Sequence, residues 1–223
     1  MMDATEIASR LIKAEKARAE IPQFTDLDPD IDVETAYAAQ WAFVQSKLDA
    51  GEQLAGAKLG LTSRAKQEAM GLAEPLYGWV TSGMITDYGE PLDRGSLIHP
   101  RAEPEIALLL GRDVTAPATV SSVLAATMGH PAAAVAWLAN RLGARGLSLR
   151  AGWLVLSGGL TAPVPLEPGT AVAAEFDGLG SIEVYCVLLI VRVMQRPAAI
   201  AGPYYLHRPL AQAPRPALAD RLA

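Results

Sequence analysis

Leu97-Ile98-His99-Pro100-Arg101-Ala102-Glu103-Pro104-Glu105-Ile106-Ala107-Leu108-Leu109-Leu110 joins an acidic segment to an unbroken apolar run. In an extended chain, side chains at i and i+2 share a face, so Glu103 and Glu105 point one way and Ala102, Pro104 and Ile106 the other. Two like charges held close together repel, and one is driven to keep its proton unless a cation sits between them. A hard divalent ion, Mg²⁺ or Mn²⁺, suits that place. Two solvated glutamates on an open strand face fit the same spacing. Ile106 to Leu110 is expected to form a strand buried on both faces. Glutamates opening such a strand sit at the margin of a core, where clefts form.

With 223 residues and 51% hydrophobic content, the chain can bury a substantial core as one domain, or one domain with an appendage. A formal charge of −5 argues against a nucleic-acid surface and against attraction to anionic lipid. An anionic substrate therefore needs local positive charge or a metal. Cys186 is the single cysteine, which excludes an intramolecular disulfide, and no Cys/His group has zinc spacing. The amino terminus lacks the basic-then-apolar order of a signal peptide, and the apolar run Val187 to Val191 is too short to cross a bilayer. The expected location is the cytoplasm, with neither nucleic acid nor membrane as partner.

Asp3 to Glu20 reads as an amphipathic helix stopped by Pro22. The acid-rich run Asp26 to Asp32 reads as a loop, with Asp32 placed to cap a second helix that continues to Gly51. Both helices are expected to serve packing. From Leu54 the texture changes to small residues and glycines around Lys58. In that setting an ammonium is partly desolvated and can bind an anion or move a proton, although a surface lysine on a short strand fits equally. Ser63 or Thr62 is placed to cap a short helix whose first turn carries Arg64 and Lys66. Helix-start amides together with Arg64 or Lys66 make a carboxylate site, and a solvated charged face is the alternative. Pro75 to Val80 reads as a turn into a strand.

His130 precedes Pro131 at the start of an alanine-rich helical run, Ala132 to Leu142, where a structural cap competes with a ligand role. Trp153 to Thr161 reads as a buried strand ending in the loop Ser157-Gly158-Gly159-Leu160-Thr161. The glycines there let backbone N–H groups approach an anion closely, but the spacing is not that of a phosphate loop or a dinucleotide fingerprint. Ala171 to Phe176 and Gly180 to Tyr185 pair as a hairpin across Asp177-Gly178. Residues 187 to 223 carry five arginines, five prolines and one acid, a composition that cannot build its own core beyond the apolar Val187–Met194 segment.

Six segments together, Gly56 to Ser63, Pro75 to Gly78, Leu97 to Ile106, Gly129 to Ala139, Leu156 to Ala162 and Gly178 to Ile182, resemble the hydratase/decarboxylase family of aromatic meta-cleavage pathways, within the fumarylacetoacetate hydrolase superfamily. Ser63-Arg64-Ala65-Lys66, Met70-Gly71, Pro75-Leu76-Tyr77-Gly78 and Leu97-Ile98-His99-Pro100 are more similar to its 4-oxalocrotonate decarboxylases than to its 2-hydroxypenta-2,4-dienoate hydratases. The resemblance implies an α+β fold, a mixed β-roll with flanking helices. It implies Glu103 and Glu105 as ligands of Mg²⁺ or Mn²⁺ and Lys58 as a catalytic lysine. A small 2-oxo dicarboxylate would be bound with help from Ser63, Arg64, Lys66, Gly159 and Thr161. The implied activity is metal-dependent decarboxylation of 2-oxo-3-hexenedioate, with the hydratase reaction, or a non-catalytic role beside an intact family enzyme, as alternatives.

The chain departs from the family in two places. Val123 to Thr127 runs almost directly into Met128-Gly129-His130-Pro131, where the family carries a longer segment that supplies a third glutamate ligand. No acid lies between Asp113 and Glu167 to replace it. The expected organisation is thus an N-terminal helical region over 1–53, a catalytic-type domain over 54–186 shortened near 127–128 and missing part of its central strands, and an atypical tail over 187–223. Exposed edges left by that gap favour a homo-oligomer, or association with a sister hydratase or decarboxylase.

Overall fold

The computed structural model describes residues 2–87, 89–119, 132–176 and 180–187. His130, the shortening near 127–128, the Asp177-Gly178 turn and the tail beyond Val187 lie outside these residues.

Two helices, α1 (Ala4–Ala17) and α3 (Val33–Asp49), pack on each other with Ile7, Ala8 and Ala39 buried, and Val44 of α3 joins the core of the central sheet. Each is capped as its sequence dictates. The Asp3 carboxylate accepts from the Glu6 N–H at 2.8 Å and the Asp32 carboxylate from the Thr35 N–H at 2.7 Å, which satisfies donors that a first turn leaves unpaired. Helix α1 stops earlier than expected, at Arg18, whose left-handed backbone (φ 52°) turns the chain before Pro22 is reached. The expected loop before Asp32 contains a one-turn helix, α2 (Phe24–Leu27).

The centre is a four-stranded sheet in the order β2 (Leu76–Thr81), β1 (Leu54–Gly60), β6 (Leu154–Leu156), β5 (Ala107–Leu109). Strand β1 runs antiparallel to β2 and parallel to β6, and β6 runs antiparallel to β5. Register divides the residues between two faces. Ala57 is opposite Trp79 and Val155, and Val155 is opposite Leu108, so these four share a face. That face forms the core with the buried Val135, Leu138 and Leu142 of a helix following α4 (Arg64–Ala69), namely α5 (Ala132–Gly143). Trp79 meets Tyr77 and Trp153 edge-on at centroid distances of 6.0 and 5.9 Å, a favoured aromatic geometry.

The opposite face carries Lys58, Gly78, Leu156 and Ala107. The run after Glu105 is therefore not buried on both sides, as its composition suggested. Strand β5 lies at the sheet edge; Leu108 is 4% exposed and its neighbour Leu109 is 55% exposed. Only one row of its side chains has a layer to pack against.

Two smaller sheets complete the α+β architecture. The short β3 (Leu92–Asp93) pairs with β9 (Gly180–Val187), which forms the expected hairpin with β8 (Ala171–Phe176), Val172 opposite Val184. Strand β4 (Arg101–Ala102) pairs with β7 (Val164–Pro165).

Candidate functional site

Glu103 and Glu105 lie in the connection between β4 and β5, outside any strand. They are nevertheless fixed, because the carbonyls of Pro104 and Ile106 accept from the Leu160 and Ser157 N–H groups at 3.1 and 3.2 Å. Those two bonds lay the glutamate segment along the glycine loop that follows β6.

Glu105 is the buried member, its side chain 6% exposed. One carboxylate oxygen accepts from the Gly158 N–H at 3.0 Å, and the other is paired with the Lys58 ammonium. Gly158 has a left-handed backbone (φ +102°), and a Cβ there would lie 2.6 Å from the Thr62 hydroxyl. Glycine is thus required both for the turn and for the close approach. The Glu103 carboxylate rests on the next residue, since a Cβ on Gly159 would fall 2.5 Å from its Oε1. Both carboxylates therefore bear on two consecutive residues, as the i, i+2 spacing leads one to expect.

Lys58 projects from β1 toward this loop, with its side chain 46% exposed. The lysine is therefore less desolvated than its apolar neighbours suggested, and its ammonium pairs with the Glu105 carboxylate. Immediately after β1, Leu61 adopts a left-handed backbone (φ 53°), and its carbonyl accepts from the Gln67 side-chain amide at 2.7 Å. This bend leads the chain into α4, and Lys66 donates to the Gly159 carbonyl at 3.2 Å. Ser63 caps α4 by accepting from the Lys66 N–H at 3.3 Å. Arg64 is not brought in; it pairs with Glu68 on its own helix, with its side chain 92% exposed. Thr161 is also outside the cluster, exposed and donating to the Ala162 carbonyl at 3.1 Å. The Gly158 N–H approaches a carboxylate as the glycine loop led one to expect, and the part that sequence reasoning missed is the Leu61–Gln67 bend. Nothing in the sequence signals that bend.

The donor set admits a hard divalent cation. Mg²⁺ takes one or two protein carboxylates and leaves its other positions to water and ligand oxygens. The Glu103 carboxylate makes no hydrogen bond or ion pair with other described residues, so its lone pairs are free. Among the described residues no group of three or more His, Cys, Asp or Glu is placed to hold a metal.

The 2-keto-4-pentenoate hydratase of Burkholderia vietnamiensis (strain G4 / LMG 22486) is 30% identical over 256 aligned positions, which cover 82% of this chain and 98% of the relative. The chain belongs to the hydratase/decarboxylase family. The 4-oxalocrotonate decarboxylase of Pseudomonas sp. (strain CF600) is 27% identical over 247 positions, covering 79% of this chain and 94% of that family member. The fold agrees. A 4-oxalocrotonate decarboxylase from Pseudomonas putida G7, solved with magnesium and adipate, superposes with a TM-score of 0.78 at 25% identity, covering 82% of this chain and 97% of the other. No protein-family model matches the chain. The alignments are longer than the 223 residues present, so they contain positions opposite which this chain has none.

Proposed function

We propose that this chain is a divalent-metal-dependent lyase that decarboxylates 2-oxo-3-hexenedioate to 2-hydroxypenta-2,4-dienoate. The observation that carries the proposal is the convergence of Glu103, Glu105 and Lys58 on the Gly158-Gly159 loop. Glu103 and Glu105 would hold Mg²⁺ or Mn²⁺, which when bound supplies Lewis-acid stabilisation of negative charge on the substrate's 2-oxo oxygen. In the reaction the C5–C6 bond breaks and C6 leaves as CO₂. Its electron pair forms the C4–C5 double bond, the C3–C4 double bond moves to C2–C3, and charge arrives on the 2-oxo oxygen. Lys58, half exposed, supplies a positive charge beside that oxygen and is the group that delivers the proton completing the 2-hydroxy product. Gly158 keeps Glu105 in place through its N–H while Lys58 changes partners. Ser63 orders the first turn of α4, and Lys66 and Gly159 border the place left for the rest of the substrate. Arg64 and Thr161 have no part in the proposal.

Identity to a hydratase at 30% supports a second reading, addition of water to a 2-hydroxydienoate at the same residues. Having two carboxylates and no third among the described residues favours a non-catalytic partner of an intact family enzyme. The experiment follows the ultraviolet decay of 2-oxo-3-hexenedioate with purified protein and Mg²⁺ or Mn²⁺, with and without chelator, and measures released CO₂. Chelator-sensitive decay with stoichiometric CO₂ is the expected result. Decay of the dienoate without CO₂ would establish the hydratase instead, and inactivity toward both substrates in folded protein would point to the partner role.

A further inference from the structure

We propose that the cleft along α1 is a second ligand site, separate from the glutamate cluster, and that it takes a free aliphatic monocarboxylate of medium chain length. The proposal does not depend on the reading of Glu103 and Glu105.

Helix α1 carries Arg10, Lys13, Ala14 and Ala17 at spacings of three and four, which sets them along one face. Ile21, Phe24 and Leu27, from the chain that turns back after Arg18, complete a cleft of about 400 Å³ against that face. Small-molecule sites enclose about 300–1,000 Å³, with mostly apolar walls and a few polar groups that fix orientation. Ile21 is 39% exposed and Leu27 is 52% exposed, so a hydrocarbon chain seated here would take apolar surface out of water. A second cleft, of about 280 Å³, shares Ala14, Ala19 and Ile21 with the first and extends to Phe43 and Ile98. The apolar room therefore continues past Ile21.

Charge defines the head group. Arg10 and Lys13 also border a neighbouring cleft whose other walls are Asp3, Thr5, Glu6 and Ser9, so the two cations stand where apolar lining gives way to polar. The acids of this region are engaged elsewhere: Asp3 caps α1, Glu6 pairs with Arg10, Glu15 with Lys47 and Glu20 with His99. Lys13 has no carboxylate partner among the described residues. Of the two cations on the apolar cleft, it is the one left unbalanced. A single unpaired ammonium beside a hydrocarbon-lined cleft complements one carboxylate on an alkyl chain, and it disfavours a cationic amphiphile. A dianion finds no second cation there, because Glu6 holds Arg10. The lysine stem can lie along the apolar wall with its ammonium in water, so the carboxylate it meets stays partly hydrated and escapes the cost of full burial. A bilayer fits less well, since anionic lipid repels a chain of formal charge −5.

The test titrates octanoate, butyrate and n-octylammonium into the full chain by calorimetry, with chelator present so that no metal at the glutamate cluster can receive a carboxylate. Octanoate is expected to bind saturably at one site with a Kd of about 1 mM or tighter. Butyrate, four methylenes shorter, should bind about tenfold or more weakly, and octylammonium should also be weaker than octanoate. Lys13→Glu should reverse the preference between octanoate and octylammonium. Ala17→Phe, which fills the cleft from an exposed position, should weaken octanoate by about tenfold, and Glu105→Gln should leave it within about twofold. Lys13 and Ala17 are both exposed, so the variants should melt like wild type, and each tests the site without the other. Heats that do not saturate, equal affinity for octanoate and octylammonium, or a preference that survives Lys13→Glu would overturn the proposal. Octanoate binding that persists in Ala17→Phe or disappears in Glu105→Gln would overturn it by placing the acid elsewhere. Sedimentation of the protein with phosphatidylcholine–phosphatidylglycerol vesicles would overturn it in favour of a membrane-facing surface.

Discussion

Glu105 joins three elements through one carboxylate, with Lys58 of β1 on one oxygen, the Gly158 N–H after β6 on the other, and its own segment pinned to the loop on either side. Replacing it by glutamine keeps the shape but removes the charge that pairs with Lys58 and would bind the ion. Glu105→Gln should lower kcat by about 100-fold or more in the decarboxylation assay, as loss of a preorganised charged group does. Gly158→Ala forces a side chain into a left-handed position against Thr62 and should cost about 1–3 kcal/mol in chemical denaturation, with activity falling as well. Spacing and residue type put Glu103, Glu105 and Lys58 forward as candidates beside plainer readings, and the family resemblance implied their roles. The choice between Arg64 and Lys66 was not legible in the sequence, since it depends on the phase of α4, which Leu61's left-handed turn and Gln67's amide determine. Neither residue type announces that role.

Strand β5 tests the two-faced sheet most directly, because adjacent leucines differ by fold position and not by chemistry. Leu108→Ala should destabilise the protein by about 2–5 kcal/mol, and Leu109→Ala by well under about 1 kcal/mol, in urea titrations of both variants. The sequence concealed this difference. Five consecutive apolar residues contain no polar mark to show which side lacks a partner layer, and the edge position follows from the distant strand β6. The helices were more legible, because Asp3 and Asp32 cap locally whatever lies elsewhere in the chain. Between α3 and β2, Tyr37 stacks on Tyr77 with ring centroids 4.5 Å apart, and burial pushes both phenols above their ordinary value. A raised folded pKa gives stability that is present below the ordinary phenol value, about 10, and is lost as pH rises through the folded one. The melting temperature should therefore fall above about pH 10, and less steeply in a Tyr37→Phe, Tyr77→Phe double variant.

For the whole molecule, six dispersed motifs pointed to the family before any coordinates, whereas no local pattern showed the strand order of the central sheet. Among the described residues no helix is long and apolar enough to cross a membrane. With a formal charge of −5, the anionic substrate proposed above would be drawn by local groups, Lys58, Lys66 and the proposed cation. A ligand that binds only the folded form stabilises it by mass action, about 2.7 kcal/mol at one hundred times its Kd. Mg²⁺ or Mn²⁺ should then raise the melting temperature by several degrees, reversibly with chelator, and Glu105→Gln should abolish the shift.

Lys58 and Ala57 are neighbours in β1, yet one faces the glycine loop and the other the helices. That alternation separates what a mutation does to fitness from what it does to folding. Changes on the Lys58 face can accumulate without exposing the core that chaperones and proteases inspect. A copy that has lost its chemistry can persist in the cell as a well-folded protein, available for a different use.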